Sequence, residues 1–338
     1  EYYTHSGQAA LRQENALRFL DLHRRWARLH KTQLSWDFME IFSGSGRTSQ
    51  YCHTAGLMTG LVIDYRYGWD LRIAHHRHLV EQIILLFNPK VLLLAPECRA
   101  WSRSATTMEP TQKAELRRRE LPMLLWLVKI AKHRSRSGYG WIVEQPHGAD
   151  SWRYSPLAQL QAIDGACRRR ISQCMHGATH PLEKLPVRKD TSLASNMRLR
   201  HTIKVCHGGH QHATLQGRCS KTGLCFTTLA ATYPRGLAKA LVADVKSFVE
   251  DDEFSDERKQ FLVHQELPTR PRQRPRQRVR EAHHNEGRGP PAPPADDRII
   301  PDYQEGGASS STAAAPRQQQ PAGEPANDDN GPVPTPEA

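Results

Sequence analysis

The chain has 338 residues, a formal net charge of +12 and a hydrophobic fraction of 38%, so part of it is expected to lie outside any folded core. No apolar run reaches the roughly eighteen residues that a membrane-spanning helix needs, which excludes such a helix. Seven cysteines, an odd number in a long chain, argue against a regular disulfide framework and for a reducing compartment. The positive charge suits a polyanionic partner such as DNA, although proteins that never touch nucleic acid also have basic surfaces.

The N-terminal 35 residues predict a helix ahead of the main domain. The sequence starts at Glu1 without an initiator methionine or a signal-peptide pattern, so we expect a fragment, such as a segment of a longer polyprotein. Residues 8–30 have apolar side chains mostly three and four positions apart, with basic ones between them. This spacing predicts an amphipathic helix that packs against the following domain.

From residue 36 onwards, short apolar runs alternate with helical stretches, which predicts βαβ units and a mainly parallel sheet. The expected strands are Phe38–Phe42, Thr59–Ile63, Val91–Leu94 and Trp141–Glu144. The expected helices are Thr48–Ala55, Ile73–Phe87 and Lys113–His133. We therefore predict one α/β domain over residues 36–250, with a small cysteine- and histidine-containing insertion at 174–228 that could contact a target.

The composition changes again near residue 250. A charged stretch is followed by alternating arginine with proline or glutamine, and then by a segment rich in proline, glycine, alanine, serine and glutamine. Such a composition buries too little apolar surface to offset the entropy lost on ordering, so residues 251–338 are predicted to be a disordered tail. Its arginines could hold nucleic acid non-specifically, or the segment could be a plain solvated linker.

A glycine-rich loop directly follows the first predicted strand. Gly44 and Gly46 allow a sharp turn, which brings backbone N–H groups against a ligand at a helix start. Asp64 ends the next apolar run, where a carboxylate can accept both ribose hydroxyls, and a further acidic residue follows at Asp70. The third glycine of a dinucleotide fingerprint is missing, which disfavours NAD. The pattern predicts a nucleotide site, although a structural turn would also explain both glycines.

Two candidate catalytic residues follow later strands. Cys98 comes after the strand VLLLA, at the edge where α/β sheets bind ligands, and Arg99 and Arg103 beside it are expected to favour the nucleophilic thiolate. Glu144 ends another predicted strand, where a half-apolar site could keep its carboxyl protonated near neutral pH. The alternatives are a half-buried small cysteine and an ordinary surface glutamate.

Four segments resemble the motifs of DNA cytosine-5 methyltransferases in the same order. FMEIFSGSG resembles their D-L-F-x-G-x-G motif, APECRAWS their P-P-C-Q-x-F-S loop, and IVEQP stands where they have E-N-V. LAATYPRGLAKALVADV is similar to their closing helix. Methyltransferase-like segments of retrotransposon polyproteins from dinoflagellates and other protists also share three elements with this chain: a G-W-D-L element, one with Cys174, Gly177, Lys189 and Thr191, and one with Cys206, Gly208, His210 and His212.

The resemblance implies a Rossmann-like fold that uses S-adenosylmethionine to methylate nuclear DNA. Cys98 would attack C6 of a flipped cytosine while Glu144 contacts N3, and C5 would then accept the methyl group. The implied cofactor contacts are Phe42, Ser43, Gly44, Ser45, Gly46, Asp64, Asp70 and Pro96. The implied substrate contacts are Arg99, Arg188 and Lys189. The sequence departs from the family motifs at Glu97, which opposes ionisation of the thiol, and at Gln145-Pro146.

The insertion contains enough thiol and imidazole groups for a structural zinc ion, which needs four such ligands. The candidates are Cys174, Cys206, His210, His212, Cys219 and Cys225. Their spacing matches no strict zinc motif, and the alternative is a polar loop whose histidines contact phosphate or solvent.

Two other functions remain open for the domain. It could be a catalytically inactive nucleic-acid-binding module that uses its basic surface and arginine-rich tail. It could also be a methyltransferase that acts on RNA or protein, in which Cys98 has no role.

Overall fold

The computed structural model describes residues 2–3, 9–102 and 108–251. Arg103 lies outside these described residues, and so does the predicted tail beyond Asp251. Two short strands, β1 (Tyr2–Tyr3) and β2 (Ala9–Ala10), pair antiparallel, and the first helix, α1 (Ala16–His30), follows a short 3-10 turn. The helix predicted over residues 8–30 is therefore confirmed from Ala16 to His30, whereas Ala9–Ala10 form a strand and Gln13–Asn15 a 3-10 turn.

The central sheet has five strands in the order β3-β4-β5-β7-β6. Their bounds are β3 (Phe38–Ile41), β4 (Val91–Leu94), β5 (Gly140–Pro146), β6 (Cys167–Ser172) and β7 (Asp190–Ser195). Strands β3, β4 and β5 pair in parallel, whereas β7 lies antiparallel to both β5 and β6. The sheet is therefore parallel in its first part only, and the prediction of a mainly parallel sheet missed the antiparallel strand.

The predicted strand Thr59–Ile63 does not form a regular ladder. Instead it runs beside the outer edge of β3 through isolated parallel bridges from Thr59 to Phe38 and from Ile63 to Ile41. From β3 the chain thus passes first to residues 59–63 at one edge of this strand, and later to β4 at its other edge. This reversal of direction makes β3 the switch point of the sheet.

Helices cover both faces of the sheet, since alternate residues of each strand point to opposite sides. Met39 and Leu92 belong to the core under α1, α3 (Ala74–Phe87) and α4 (Pro110–Arg136). Phe38 and Leu93 belong to the core under α2 (Arg47–Thr54) and α7 (Arg235–Glu250). Two further short helices are α5 (Ser151–Tyr154) and α6 (Phe226–Leu229). The described residues therefore form a mixed α/β fold with helices on both faces.

The helices predicted between the strands are confirmed to within about three residues at each end. α1 differs from its prediction in how it packs, because Leu20 is buried while most of its apolar side chains stay exposed. The exposed ones are Leu17, Leu22, Trp26 and Leu29.

Candidate active site

A cavity of about 940 Å³ opens at the carboxyl ends of β3, β4 and β5. Parallel strands end at the same edge of a sheet, so the loops that follow them converge there. Of the predicted catalytic, cofactor and substrate residues, those that line the cavity are Phe42, Ser43, Gly44, Ser45, Pro96, Cys98, Glu144, Arg188 and Lys189. Four others do not line it, namely Gly46, Asp64, Asp70 and Arg99.

The loop after β3 has an unusual backbone. Phe42 has a φ of 61°, which is rare for a bulky residue, and Gly44 and Gly46 have φ values of 54° and 65°. Strained non-glycine residues of this kind concentrate at functional sites, where the surrounding structure holds them in place. The tight turn ends at Gly46 and starts α2.

The N–H groups of this loop bond within the protein, contrary to the expectation that they face a ligand. Phe42 and Ser43 donate to the carbonyl oxygen of Ile63, at 2.8 and 3.2 Å, and Gly44 donates to Asp64 Oδ2 at 2.8 Å. The hydroxyl of Ser43 is buried and has no hydrogen-bond partner among the described residues. The loop therefore offers a ligand this hydroxyl rather than a set of backbone amides.

The two predicted acidic residues are held by neighbouring groups. Asp64 accepts the N–H groups of Gly44 and Arg66, so it supports the loop from outside the cavity lining. Both carboxylate oxygens of Asp70 bond the guanidinium of Arg72 at 2.8 Å, and these bonds lower the pKa of Asp70. Asp70 therefore stabilises its own turn in this structure.

Glu40 lines the cavity but was not predicted from the sequence. It lies in the middle of β3, is only 2% exposed, and lines the cavity. Its Oε2 accepts both the N–H group and the hydroxyl of Ser49, at 3.1 and 2.8 Å, near the start of α2. Burial raises the pKa of Glu40 to about 7, against the effect of these hydrogen bonds. An acidic residue inside an apolar strand was the signal that could have revealed it.

The loop that bears Cys98 is fixed from both sides. The carbonyl oxygen of Cys98 accepts the N–H groups of Trp101 and Ser102, at 3.0 and 2.7 Å. Gln145 donates from Nε2 to the carbonyl oxygen of Pro96 at 2.5 Å. The departure from the family motif at Gln145 thus has a structural role, because its amide ties β5 to the cysteine loop.

The thiol of Cys98 is more weakly acidic than predicted. Burial first, and then the negative charges of Glu144 and Glu97, raise its pKa to about 11, while Lys189 acts in the opposite direction. The pKa is thus raised, contrary to the expectation of a favoured thiolate; Arg99 is not among the causes of this shift, and Arg103 lies outside the described residues. The predicted opposing effect of Glu97 is confirmed.

Glu144 lies beside a lysine and a tyrosine that come from distant parts of the chain. Burial raises its pKa, whereas the charge of Lys189 and the hydroxyl of Tyr233 lower it. Lys189 also donates to the carbonyl oxygen of Ala230 at 3.1 Å, which holds its ammonium group in place. Tyr233 was not predicted, and its buried hydroxyl faces Glu144 without meeting hydrogen-bond geometry to any described residue.

Arg188 lies on the same wall of the cavity as Lys189. Its Nε is 3.4 Å from a carboxylate oxygen of Asp190, which also bonds Arg170 at 2.6 Å. The cavity lining contains four cationic side chains in total, Arg47, Arg66, Arg188 and Lys189. The lining also contains four carboxyl groups, Glu40, Glu97, Glu144 and Asp190, of which Glu40 and Glu144 have raised pKa values.

Next to the cavity, four of the six predicted metal ligands come together. The ligand atoms of Cys174, Cys206, His210 and His212 all lie within 4.8 Å of one another, so this cluster could hold a metal ion. The other two candidates, Cys219 and Cys225, do not belong to the cluster. An antiparallel bridge joins Arg218 to Cys225, so these two cysteines belong to a turn of their own. All seven cysteines are free.

No protein-family model matches the sequence, and no curated protein matches it. Within the residues that the structure describes, none of the helices has the length and hydropathy needed to cross a bilayer. The function therefore has to be inferred from the site itself.

Proposed function

We propose that the protein is an S-adenosylmethionine-dependent methyltransferase that methylates cytosine C5 in DNA, with Cys98 as its nucleophile. One observation carries the proposal: a thiol, a carboxyl group and an ammonium group line the same cavity, next to a strained glycine loop. These groups are Cys98, Glu144 and Lys189. They come from the ends of adjacent strands and from the segment before β7, in the order in which the motifs of the resemblance occur.

The sheet supports the choice of cofactor. Its switch point at β3 is where open α/β sheets bind nucleotides. The antiparallel strand β7, inserted between β5 and β6, departs from the strand order of dinucleotide-binding domains, which agrees with the missing third glycine in disfavouring NAD. The unpartnered hydroxyl of Ser43 offers a hydrogen bond to such a ligand, and Asp64 holds the loop in shape. When bound, S-adenosylmethionine supplies an electrophilic methyl group.

Different side chains of the cavity act on different atoms of the base. Cys98, once deprotonated, adds through its sulfur to C6 of the cytosine, which makes C5 nucleophilic. Glu144, whose raised pKa favours the protonated form, donates a hydrogen bond to N3 and stabilises the charge that develops on the ring. After methyl transfer, the proton of C5 would pass to solvent water while the bond between C6 and the sulfur breaks, which would release the Cys98 thiolate. The base has to be flipped out of the duplex to reach this cavity.

The positive charge of the chain and the four cationic side chains of the cavity lining suit a DNA partner in the nucleus. The family resemblance further suggests that the chain belongs to a mobile-element polyprotein. The proposal implies two cofactors, S-adenosylmethionine in the cavity and a structural zinc ion at the neighbouring cluster of Cys174, Cys206, His210 and His212.

The test is the transfer of labelled methyl groups from S-adenosylmethionine to mixed-sequence DNA. Wild-type protein should place the label on cytosine C5, and Cys98→Ala should place none while still binding the cofactor. Cys167→Ser is a matched control, because that cysteine is exposed and does not line the cavity. Label that persists in Cys98→Ala would contradict the role of Cys98 and favour a methyltransferase acting on RNA or protein.

One observation favours a second candidate, an inactive module that binds nucleic acid. The pKa of Cys98 is raised to about 11, so the free protein contains little thiolate at neutral pH. The inactive module predicts DNA binding that is unchanged in Cys98→Ala, with no cofactor binding and no methyl transfer from the wild type.

A further inference from the structure

The metal-ligand cluster is built from two separate segments of the chain. Cys174 lies in a 3-10 turn, Gln173–His176, directly after β6. Cys206, His210 and His212 lie in a loop without helix or strand that runs from residue 203 to residue 216. Both cysteines are buried, His212 is half-buried and His210 is exposed. The ligands therefore join an irregular loop to the edge of the sheet.

Two distances between ligand atoms are close to those around a tetrahedral ion. Cys206 Sγ lies 3.8 Å from His210 Nε2 and 3.5 Å from His212 Nε2. Zinc–sulfur bonds of about 2.3 Å and zinc–nitrogen bonds of about 2.0–2.1 Å place a sulfur and a nitrogen about 3.6 Å apart in a tetrahedron. Two thiolates and two imidazoles are a donor set that selects zinc. Because all four positions belong to the protein, the site has the closed form of a structural centre.

The surroundings of the cluster also suit a bound thiolate. The N–H group of Gly208 donates to Cys206 Sγ at 3.3 Å, a contact that orients the sulfur and stabilises its negative charge. The imidazole rings of His210 and His212 lie with their centroids 4.5 Å apart, so both can present a nitrogen to one point.

We infer that a structural zinc ion at Cys174, Cys206, His210 and His212 braces one wall of the cavity, which residues 212–216 form. His212 is both a ligand and a cavity residue, and residues 213–216, which follow it, continue along the cavity. Ala213 donates its N–H group to Pro186, close to Arg188 and Lys189. Zinc thus fixes a loop that lines the cavity. That this wall faces DNA rests on the proposed function, whereas the metal site does not.

Zinc content of the purified full chain tests the site directly, without DNA or cofactor. Wild-type protein should contain one zinc ion per chain, and Cys206→Ser should lose it. Cys219→Ser and Cys225→Ser are matched controls, because these cysteines lie outside the cluster. If Cys206→Ser fails to fold, His210→Ala removes an exposed ligand with little effect on the core. Cobalt substitution should give the visible absorption of a tetrahedral thiolate site in the wild type but not in Cys206→Ser.

Wild-type protein that takes up no zinc, or a zinc content unchanged in both Cys206→Ser and His210→Ala, would overturn the metal site. The bracing role has its own readout, which is amide hydrogen exchange over residues 203–216. Removing zinc with a chelator should speed exchange there and leave exchange in β3 and β4 unchanged. Equal exchange with and without zinc would overturn the bracing role. Absent methyl transfer alongside intact zinc binding would count against the proposed function only.

Discussion

The carboxylate of Glu144 and the thiol of Cys98 line one cavity, and the charge of Glu144, after burial, is the main reason that the pKa of Cys98 rises to about 11. Lys189 lowers the pKa of both groups. The thiol of the free protein is therefore held in its unreactive form. In the proposed enzyme, Glu144 acts in its protonated form, which carries no negative charge to oppose the thiolate.

Alkylation of Cys98 should reveal this coupling. The rate of reaction with iodoacetamide should rise with pH towards a midpoint near the pKa of about 11, because only the thiolate reacts. Glu144→Gln should shift the midpoint down, since it removes the negative charge, and Lys189→Met should shift it up. Mass spectrometry of the peptide that contains Cys98 separates it from the other cysteines. Identical midpoints in all three proteins would show that neither charge affects the pKa of the Cys98 thiol.

Glu40 should make stability depend on pH. Its pKa is raised from 4.5 to about 7, so the native state keeps a proton that the unfolded state loses above pH 4.5. The contribution of Glu40 to the free energy of unfolding is thus fully present below about pH 4.5 and is lost as pH rises to about 7. This loss has an upper bound of about 3 kcal/mol. Urea unfolding between these pH values should show a smaller decline for Glu40→Gln than for the wild type. Glu250→Gln, at the exposed end of α7, should follow the wild type.

The cavity could be predicted from the sequence because its main residues directly follow buried strands. Parallel strands bring such residues to one edge, so the glycine loop, Cys98 and Glu144 were expected together. Lys189 and Tyr233 belong to the same group, but they reach Glu144 through contacts over long chain distances. Local spacing carries no signal for these contacts, and only the family resemblance indicated Lys189.

The errors have physical causes as well. Asp70 was expected to face a ligand, yet Arg72, two residues away, satisfies both of its oxygens. Cys219 and Cys225 have the right chemistry for a metal, but they lie in a separate turn and do not belong to the cluster. Strand β7 was missed because alternating small and polar residues, such as Ser192 and Ser195, hide a strand whose residues are nearly all buried.

Trp101 should anchor the Cys98 loop to α4. Its ring is buried, Nε1 donates to Glu120 at 2.6 Å, and the guanidinium of Arg117 stacks 4.8 Å from the ring centre. Trp101→Phe removes the donor and leaves the Glu120 carboxyl buried without it, at a cost of about 1–3 kcal/mol. Urea unfolding measures this loss. Trp26→Phe, on the exposed side of α1, should change stability by less than about 0.5 kcal/mol, and a similar value for both variants would refute the anchoring role.

Gly236 lets α7 pack closely against the turn that bears Cys174. A Cβ atom at this position would overlap the backbone carbonyl oxygen of His176, which cannot move aside as a flexible side chain could. The ring of His176 is itself bonded to the carbonyl oxygen of Thr202 at 3.0 Å, so the turn is held on both sides. Gly236→Ala should therefore destabilise the protein by about 1–3 kcal/mol, despite the better helix propensity of alanine.

Gly209→Ala is the matched control for this substitution, because a Cβ there would meet nothing within 4 Å. It should leave the unfolding free energy unchanged or raise it slightly, since alanine restricts the unfolded chain. Thermal unfolding of the two variants gives the comparison. If Gly236→Ala proved as stable as Gly209→Ala, α7 would have room to move away from the turn, and the position of Cys174 would not depend on that helix.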